Sequence, residues 1–390
     1  GKTTVLIAKI LYLHYARQID YSAMVVLTFT NKAANEIWER LLIVDKCVRL
    51  EELCGFGTFH SVALGLLRNS LPVEELGYTK EFQVIEPDEE LDLAMELIHR
   101  ENLKIKYKNR LKKRLEQAMS VQDEEKKVSR YGDDLFKLAA LLKEEKIKQD
   151  KMSFFDLLFY TTLLLDKSRS KFQWIIIDEV QDSDGMQMAF IDKLMGGGAR
   201  LFAVGDPNQV IYSWRGSVFN VFYTLKKRYR ARELSLPINY RSSTSILEAA
   251  RCFLQNGADL TGIREQGSKI VVKRQYDPFS EACYLAGRIG ELHKNGVLYK
   301  EIAVFYRLQN QSQILEEVFQ REGIPFEVSL KKTVHDIPVL NWVMKVFRYS
   351  LNPNDTASGI YAVSNKEYGA HVTVKESGKR KRAAVSCFRK

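Results

Sequence analysis

Gly1, Lys2, Thr3 and Thr4 run directly into VLIAKI, an apolar stretch with helical character. A glycine, a lysine and a hydroxyl at the head of a helix are how a phosphate-binding loop ends. Backbone N–H groups and an ammonium face an anion, and the hydroxyl can ligate magnesium. The tripeptide also arises by chance, so the rest of the chain must decide. A second group closes WIIIDEVQDSD (174–184), where Asp178 and Glu179 follow four apolar residues that read as a buried strand. Ligands of open α/β sheets bind beyond the carboxyl ends of strands. An aspartate there can hold Mg2+, and a glutamate one residue later points elsewhere, towards a water. Transfer of a phosphoryl group from ATP to water needs both jobs done. A strand that merely ends in solvated acids would look the same.

Two later segments add to this set. LFAVGDPNQVIYSWRGS (201–217) supplies another strand end and then Gln209, an uncharged bidentate side chain that can sense a γ-phosphate without neutralising it. Tyr212, Trp214 and Arg215 follow. Interleaved aromatics and arginine make a stacking platform for unpaired bases; two aromatics two apart can equally line one face of a buried strand. LPINYRSS (236–243) carries Tyr240, able to stack on a purine, and Arg241, able to act as an arginine finger on a transferring phosphoryl group. Arg241 reads equally as the start of a helix with a surface ion pair.

The elements that must position these residues alternate. AMVVLTF (23–29) predicts a buried strand and NKAANEIWERLL (31–42) a helix with Ile37 and Leu41 on one face. From about 72 to 150 the chain becomes rich in Glu, Lys, Leu and Met and predicts consecutive helices, with Asp88 a candidate N-cap in EPDEELDLAMELIHR. Alternation resumes with strands at QWIII (173–177), RLFAV (200–204), ELSL (233–236), KIVVK (269–273) and IAVFY (302–306). Helices are expected near Met186 to Leu194, from about Val218, and over SILEAARCFL, EACYLAGRIGEL and QILEEVFQREG, the last closed by a glycine. Such βα alternation predicts parallel sheets covered by helices. Past about Asn354 the pattern fades, and the basic ESGKRKRAAVSCFRK reads as a disordered tail.

At 390 residues two or three lobes are expected. Apolar runs are strand-sized, so no membrane partner is expected. Five scattered cysteines form no zinc-like cluster and suit a reducing, cytoplasmic setting. A net charge of +10, with runs at 104–114 and 226–232, permits a polyanionic partner, although each run also reads as a solvated helix face.

Taken in order, TFTNKAANEI (28–37), GTFHSVALGLLR (57–68), SFFDLL (153–158), IIIDEVQDSD, VGDPNQVIYSWRGS, LPINYRSS and IAVFYRLQNQSQILEEVF (302–319) resemble the successive motifs of UvrD/Rep/PcrA-like superfamily 1 DNA helicases. The resemblance covers roughly residues 1 to 355. It implies tandem RecA-like P-loop NTPase lobes: a first lobe over 1–71 and 151–235, interrupted by a helical insertion at 72–150, and a partial second lobe over 236–355. Residues 356–390 would be a basic tail or the start of a further insertion.

The resemblance also implies roles. Gly1, Lys2, Thr3 and Thr4 would bind ATP, with Lys2 on the β- and γ-phosphates and Thr3 and Asp178 on Mg2+. Glu179 would be the base orienting the attacking water, Gln209 and Arg241 would approach the γ-phosphate, and Tyr240 would stack on adenine. Phe29, Thr30, Asn31, Thr58, His60, Tyr212, Trp214 and Arg215 would contact single-stranded DNA. Opening and closing of the cleft between lobes would move the protein 3′ to 5′ along one strand towards duplex junctions, in repair or recombination.

The family's earlier phosphate-loop glycines, its adenine-contacting glutamine and its late motifs have no counterpart here. The expectation is therefore an internal fragment that binds strands weakly and hydrolyses ATP poorly. Two alternatives stand beside this: a strand-binding module without turnover, and the motor part of a helicase–nuclease.

Overall fold

The computed structural model describes residues 1–121, 132–166, 171–210, 221–254, 261–308, 310–328, 337–353 and 355–364. The chain begins with α1 (Lys2–Leu11), prolonged by a π-helical turn at Tyr12–Ala16. β1 (Met24–Thr28), α2 (Asn31–Val44), β2 (Phe56–Thr58) and α3 (Phe59–Asn69) follow. Every residue of β1 is buried, as a strand covered on both faces requires. Its alternate side chains serve different cores. Val25 and Leu27 pack with Phe59, Leu67, Leu158 and Phe190, whereas Met24 and Val26 pack with Leu6, Ile10, Ile37 and Leu41. The two-residue side-chain period lets one strand hold helices on both sides.

The helical insertion enters through β3 (Gln83–Ile85) and comprises α4 (Pro87–Arg100), α5 (Leu111–Ser120) and α6 (Leu135–Lys148). It leaves through β4 (Lys151–Ser153), which pairs in parallel with β3, Gln83 opposite Lys151. Entry and exit therefore lie side by side, and the helices between them share a leucine-rich core that includes Leu93, Leu97, Leu115, Leu138 and Leu142. The expected cap at Asp88 is corrected: Glu86 is the N-cap and Pro87 opens α4. Proline's fixed φ and missing N–H suit the first helical position, which leaves Asp88 to complement the dipole of the first turn.

Two lysines fasten this insertion from inside. The Lys146 ammonium, fully buried, lies 2.7 Å from Glu90 and 2.5 Å from Asp156. Lys151 lies 3.2 Å from Glu89 and 2.5 Å from Asp355.

After β4 come α7 (Phe154–Leu165), β5 (Trp174–Ile177), α8 (Gly185–Met195), β6 (Arg200–Ala203) and α9 (Val221–Tyr229). The main sheet has the order β2-β1-β5-β6 with all pairs parallel, Leu27 opposite Ile177 and Ile177 opposite Ala203. β2 lies on one side of β1 and β5 on the other, so the order reverses at the carboxyl ends of β1 and β5. That reversal is where open α/β sheets form a ligand crevice. A small parallel β-α-β unit follows: β7 (Ile238–Asn239), α10 (Thr244–Arg251) and β8 (Thr261–Gly262). All of this, with Asn354–Ala357, forms one compact unit ending at Glu265.

The second unit comprises Gln266–Pro353 and Ser358–Lys390. In it α11 (Pro278–Lys294) and α12 (Gln311–Arg321) meet through Ala282, Ala286, Ile289, Val318 and Phe319. α12 is closed as predicted by a glycine, Gly323 at φ +66°, a conformation that costs glycine little. α13 (Pro338–Leu351) is held to α14 (Thr356–Ser364) where the Trp342 indole N–H donates to the Ala362 carbonyl at 2.8 Å.

Three predicted strands are corrected. Among the described residues, 233–236, 269–273 and 302–306 enter no sheet. In 302–306 the alternation is present: Ile302 and Val304 pack against the α11–α12 core while Phe305 is 94% exposed. A strand needs a hydrogen-bonding neighbour as well as a buried face, and the described residues bring none to this segment. Among the described residues no helix is long and apolar enough to cross a membrane.

Candidate functional site

Gly1 caps α1, and Lys2, Thr3 and Thr4 form its first turn. The first N–H to bond back within the helix is that of Val5, to the Gly1 carbonyl, so the N–H groups of Lys2, Thr3 and Thr4 have no intrahelical acceptor. A helix start of this kind favours anions.

The apolar run Trp174–Ile177 leads into Asp178, whose N–H is held by the Leu27 carbonyl of β1 at 2.9 Å. Asp178 is only 5% exposed. Burial, then the neighbouring Glu179 charge, push its carboxyl above the usual range; the Glu179 N–H and Lys2 pull the other way. Glu179 adopts left-handed backbone angles, φ 48° and ψ 44°, an uncommon state for a non-glycine residue that clusters at functional sites. The turn carries its carboxylate to the Lys2 ammonium, with which it forms an ion pair.

A polar chain continues from this pair. The Gln181 amide N–H donates to Glu179 Oε2 at 2.9 Å, and its Oε1 accepts from the Asp206 N–H at 3.0 Å. Asp206 in turn accepts from the Gln209 amide at 2.7 Å. The start of α1, the tip of β5 and the loop after β6 are thus joined by the Gln181 side chain, which reaches Glu179 on one side and the Asp206 backbone on the other. Gln181, 3% exposed, was not singled out in the sequence, although its place two residues after the paired carboxylates was the available signal.

Gly205 makes this contact possible. A Cβ there would lie 2.4 Å from Gln181 Oε1 and 2.9 Å from the Phe222 ring. Gly205→Ala is therefore expected to lower stability by about 1–3 kcal/mol through overpacking, read from the denaturant midpoint. Gly185→Ala, at the start of α8 with open space around it, should be neutral or slightly stabilising; equal losses in both would refute the crowding argument.

The expected strand-contacting residues gather at the same end of the sheet. Phe29, Thr30 and Asn31 follow β1, Thr58 ends β2, and Thr28 and Thr58 are paired in register. Phe29 is half-buried, edge-on to Phe59 at 5.7 Å. Thr30 and Thr58 are the N-caps of α2 and α3, accepting from the Ala33 and Ser61 N–H groups, and Asn31 is exposed. His60 stands edge-on to Phe154 at 5.4 Å. Burial pushes its imidazole below the usual range, against the pull of Asp184. Tyr212, Trp214 and Arg215 lie outside the described residues.

Tyr240 and Arg241, by contrast, are not brought to Lys2 and Glu179. Both are exposed after β7, Tyr240 by 55%, and the Arg241 N–H is held by the Asn239 side chain. Among the described residues, the Arg241 guanidinium makes no hydrogen bond or ion pair with Lys2, Asp178 or Glu179. Gln209, expected to approach a phosphate, stands in the loop after β6 with its amide donating to Asp206.

For magnesium, the donors on offer are a hydroxyl at Thr3 and a carboxylate at Asp178, both hard oxygen ligands of the right type. Asp178 is buried and forms no ion pair among the described residues, the Lys2 ammonium bonding Glu179 instead, so a cation would supply its counter-charge. The residues fit the ion.

Two family models match the chain along its length. The model of the UvrD/REP helicase N-terminal domain matches residues 1–230, and that of the UvrD-like helicase C-terminal domain matches 234–378. A "Probable DNA helicase II homolog" of Mycoplasma capricolum is 30% identical, the match covering 84% of this chain and 48% of that protein. An "ATP-dependent DNA helicase PcrA" of Staphylococcus aureus and another of Staphylococcus epidermidis are each 27% identical, covering 92% of this chain and 51% of each relative. The chain spans about half the length of these curated relatives.

Proposed function

Since the chain belongs to the UvrD/REP helicase family, we propose that the protein is an ATP-dependent DNA helicase that couples ATP hydrolysis to 3′-to-5′ movement along single-stranded DNA. The observation that carries this reading is the ion pair of Lys2 with Glu179, beside the buried Asp178, at the reversal point of the main sheet. The free N–H groups of the first α1 turn and the Lys2 ammonium bind the phosphates of ATP. Thr3 and Asp178 would hold Mg2+, which would supply positive charge to the phosphates. Glu179 orients the water and accepts its proton as the phosphoryl group transfers. A γ-phosphate competes with Glu179 for Lys2, so nucleotide entry frees the carboxylate for that task. Gln181, in contact with both Glu179 and Asp206, positions the base and relays its state to Gln209. Bound nucleotide would draw in the exposed Arg241, which offsets negative charge on the phosphoryl group, and Tyr240, which stacks on adenine.

Phe29, Thr30, Asn31, Thr58 and His60, with Tyr212, Trp214 and Arg215, grip the strand. Single-strand/duplex junctions in cytoplasmic DNA repair or recombination are the substrates. ATP hydrolysis measured with and without oligothymidylate tests the reading. Strand-stimulated turnover is expected; equal background with and without strand, and in Glu179→Gln, would leave a strand-binding module without turnover.

His60 gives a finer check. Burial disfavours the charged form of its imidazole. His60→Ala should weaken oligothymidylate binding severalfold yet leave the slope of log affinity against log salt unchanged. A slope reduced by about 0.7, the value of one phosphate contact on a single strand, would mean a charged imidazole.

A further inference from the structure

A second polar concavity lies at the opposite end of β5. Trp174 begins that strand and Arg200 begins β6, the two in register. Four strand residues span roughly 13 Å, so this end is well separated from Asp178. The cleft has a volume of about 650 Å³ and is lined by Lys9, Arg17, Lys171, Arg200, Tyr12 and Trp174 among others, with no carboxylate. Lys9, in the last turn of α1, sits over the Trp174 ring at 4.2 Å. Arg17 lies over the Tyr12 ring at 5.5 Å and bonds its hydroxyl at 2.9 Å.

The charge arrangement is unusual for this molecule. The buried Lys146 and Lys151 each have two carboxylates within 3.2 Å, whereas none of the four cations here forms an ion pair among the described residues. Burial, then the charges of Arg17 and Arg200, push the Lys9 ammonium below lysine's usual range, with Tyr12 acting in the other direction. Like charges converge on a concave space and lack a counter-charge, which an anionic ligand supplies. The volume is that of a small-ligand site. Tyr12, 45% exposed, adds a flat face beside the cations. Phosphate and a planar base together match such a lining, whereas an acidic peptide would use the charges and not the exposed part of the Tyr12 ring.

We propose that this cleft is a second nucleic-acid contact, holding one nucleotide of a single strand by its phosphate and base at the end of the sheet away from Asp178. It is independent of the strand contacts proposed at the carboxyl ends of β1 and β2.

Photocrosslinking with thiothymidine-substituted oligothymidylate, followed by peptide mapping, tests it. Adducts are expected at Tyr12 or Trp174, and they should vanish in Arg17→Glu/Arg200→Glu while those at Phe29 to Asn31 and Thr58 to His60 persist. The milder Arg17→Gln/Lys171→Gln pair should retain the fold and reduce the salt slope of binding by about 0.7 for each phosphate no longer neutralised. Adducts confined to the β1 and β2 ends, or a cleft occupied by polyglutamate and not by oligothymidylate, would overturn the proposal. Loss of adducts at Phe29 and His60 with retention at Tyr12 and Trp174 would count against the proposed function and leave this site standing.

Discussion

Replacing Glu179 by glutamine is expected to lower strand-stimulated ATP turnover by about two to four orders of magnitude, the usual contribution of a general base, while nucleotide binding persists or tightens. Both halves come from one contact. Glu179 is ion-paired with Lys2, so phosphate and carboxylate compete for a single ammonium, and removing the carboxylate's charge removes the competitor. The amide can still accept from Gln181, which keeps the loop in place and separates chemistry from folding. Steady-state hydrolysis and equilibrium titration with a fluorescent ATP analogue give the two quantities. Turnover within a few-fold of the parent would remove Glu179 from the mechanism. Weakened binding would mean that the ion pair holds Lys2 in its productive position instead of restraining it.

Asp156→Ala should cost about 3–5 kcal/mol of stability, the range found when one partner of a buried ion pair is deleted. Lys146 is fully buried between Asp156 and Glu90. Burial opposes its charge, but the two carboxylates outweigh burial and hold the ammonium above lysine's usual range. With the folded value raised, this contribution is complete below the unfolded lysine's pKa and is lost only as pH rises through the folded one. Neutral buffers therefore report all of it. The alanine also removes acceptors from the Ser153 N–H and hydroxyl, the cap of α7. Asp156→Asn keeps an oxygen for the cap and should fall between the parent and the alanine. Denaturant unfolding supplies the comparison, and a deficit below about 1 kcal/mol for the alanine would show that water reaches Lys146.

The parts of this molecule that could be read in advance are those whose cause is local. Four apolar residues before two acids marked both the strand at 174–177 and the position of Asp178 and Glu179. Lys2 was expected near that tip, and it pairs with Glu179. Gly323 closed its helix for a reason contained in its own backbone. What escaped depends on partners far along the chain. Lys146 and Lys151 lie in KEEKIKQDK, at the end of the stretch expected to form consecutive helices; their burial follows from Glu89, Glu90, Asp156 and Asp355, none of them signalled by periodicity. KIVVK and IAVFY have the right residues for strands, but a ladder is a property of two segments, and neither finds its second among the described residues. Asp88 lost the cap to Glu86 because the proline between them sets where the helix can begin.

The grip of Lys151 on Asp355 has a mechanical meaning. The chain leaves the first compact unit after Glu265 and touches it again at Asn354–Ala357 before returning to the second. Asp355 stands 204 positions beyond Lys151 in sequence, so the pair acts as a tether inside the first unit, and Asp355→Ala would leave the buried Lys151 ammonium with one counter-charge fewer.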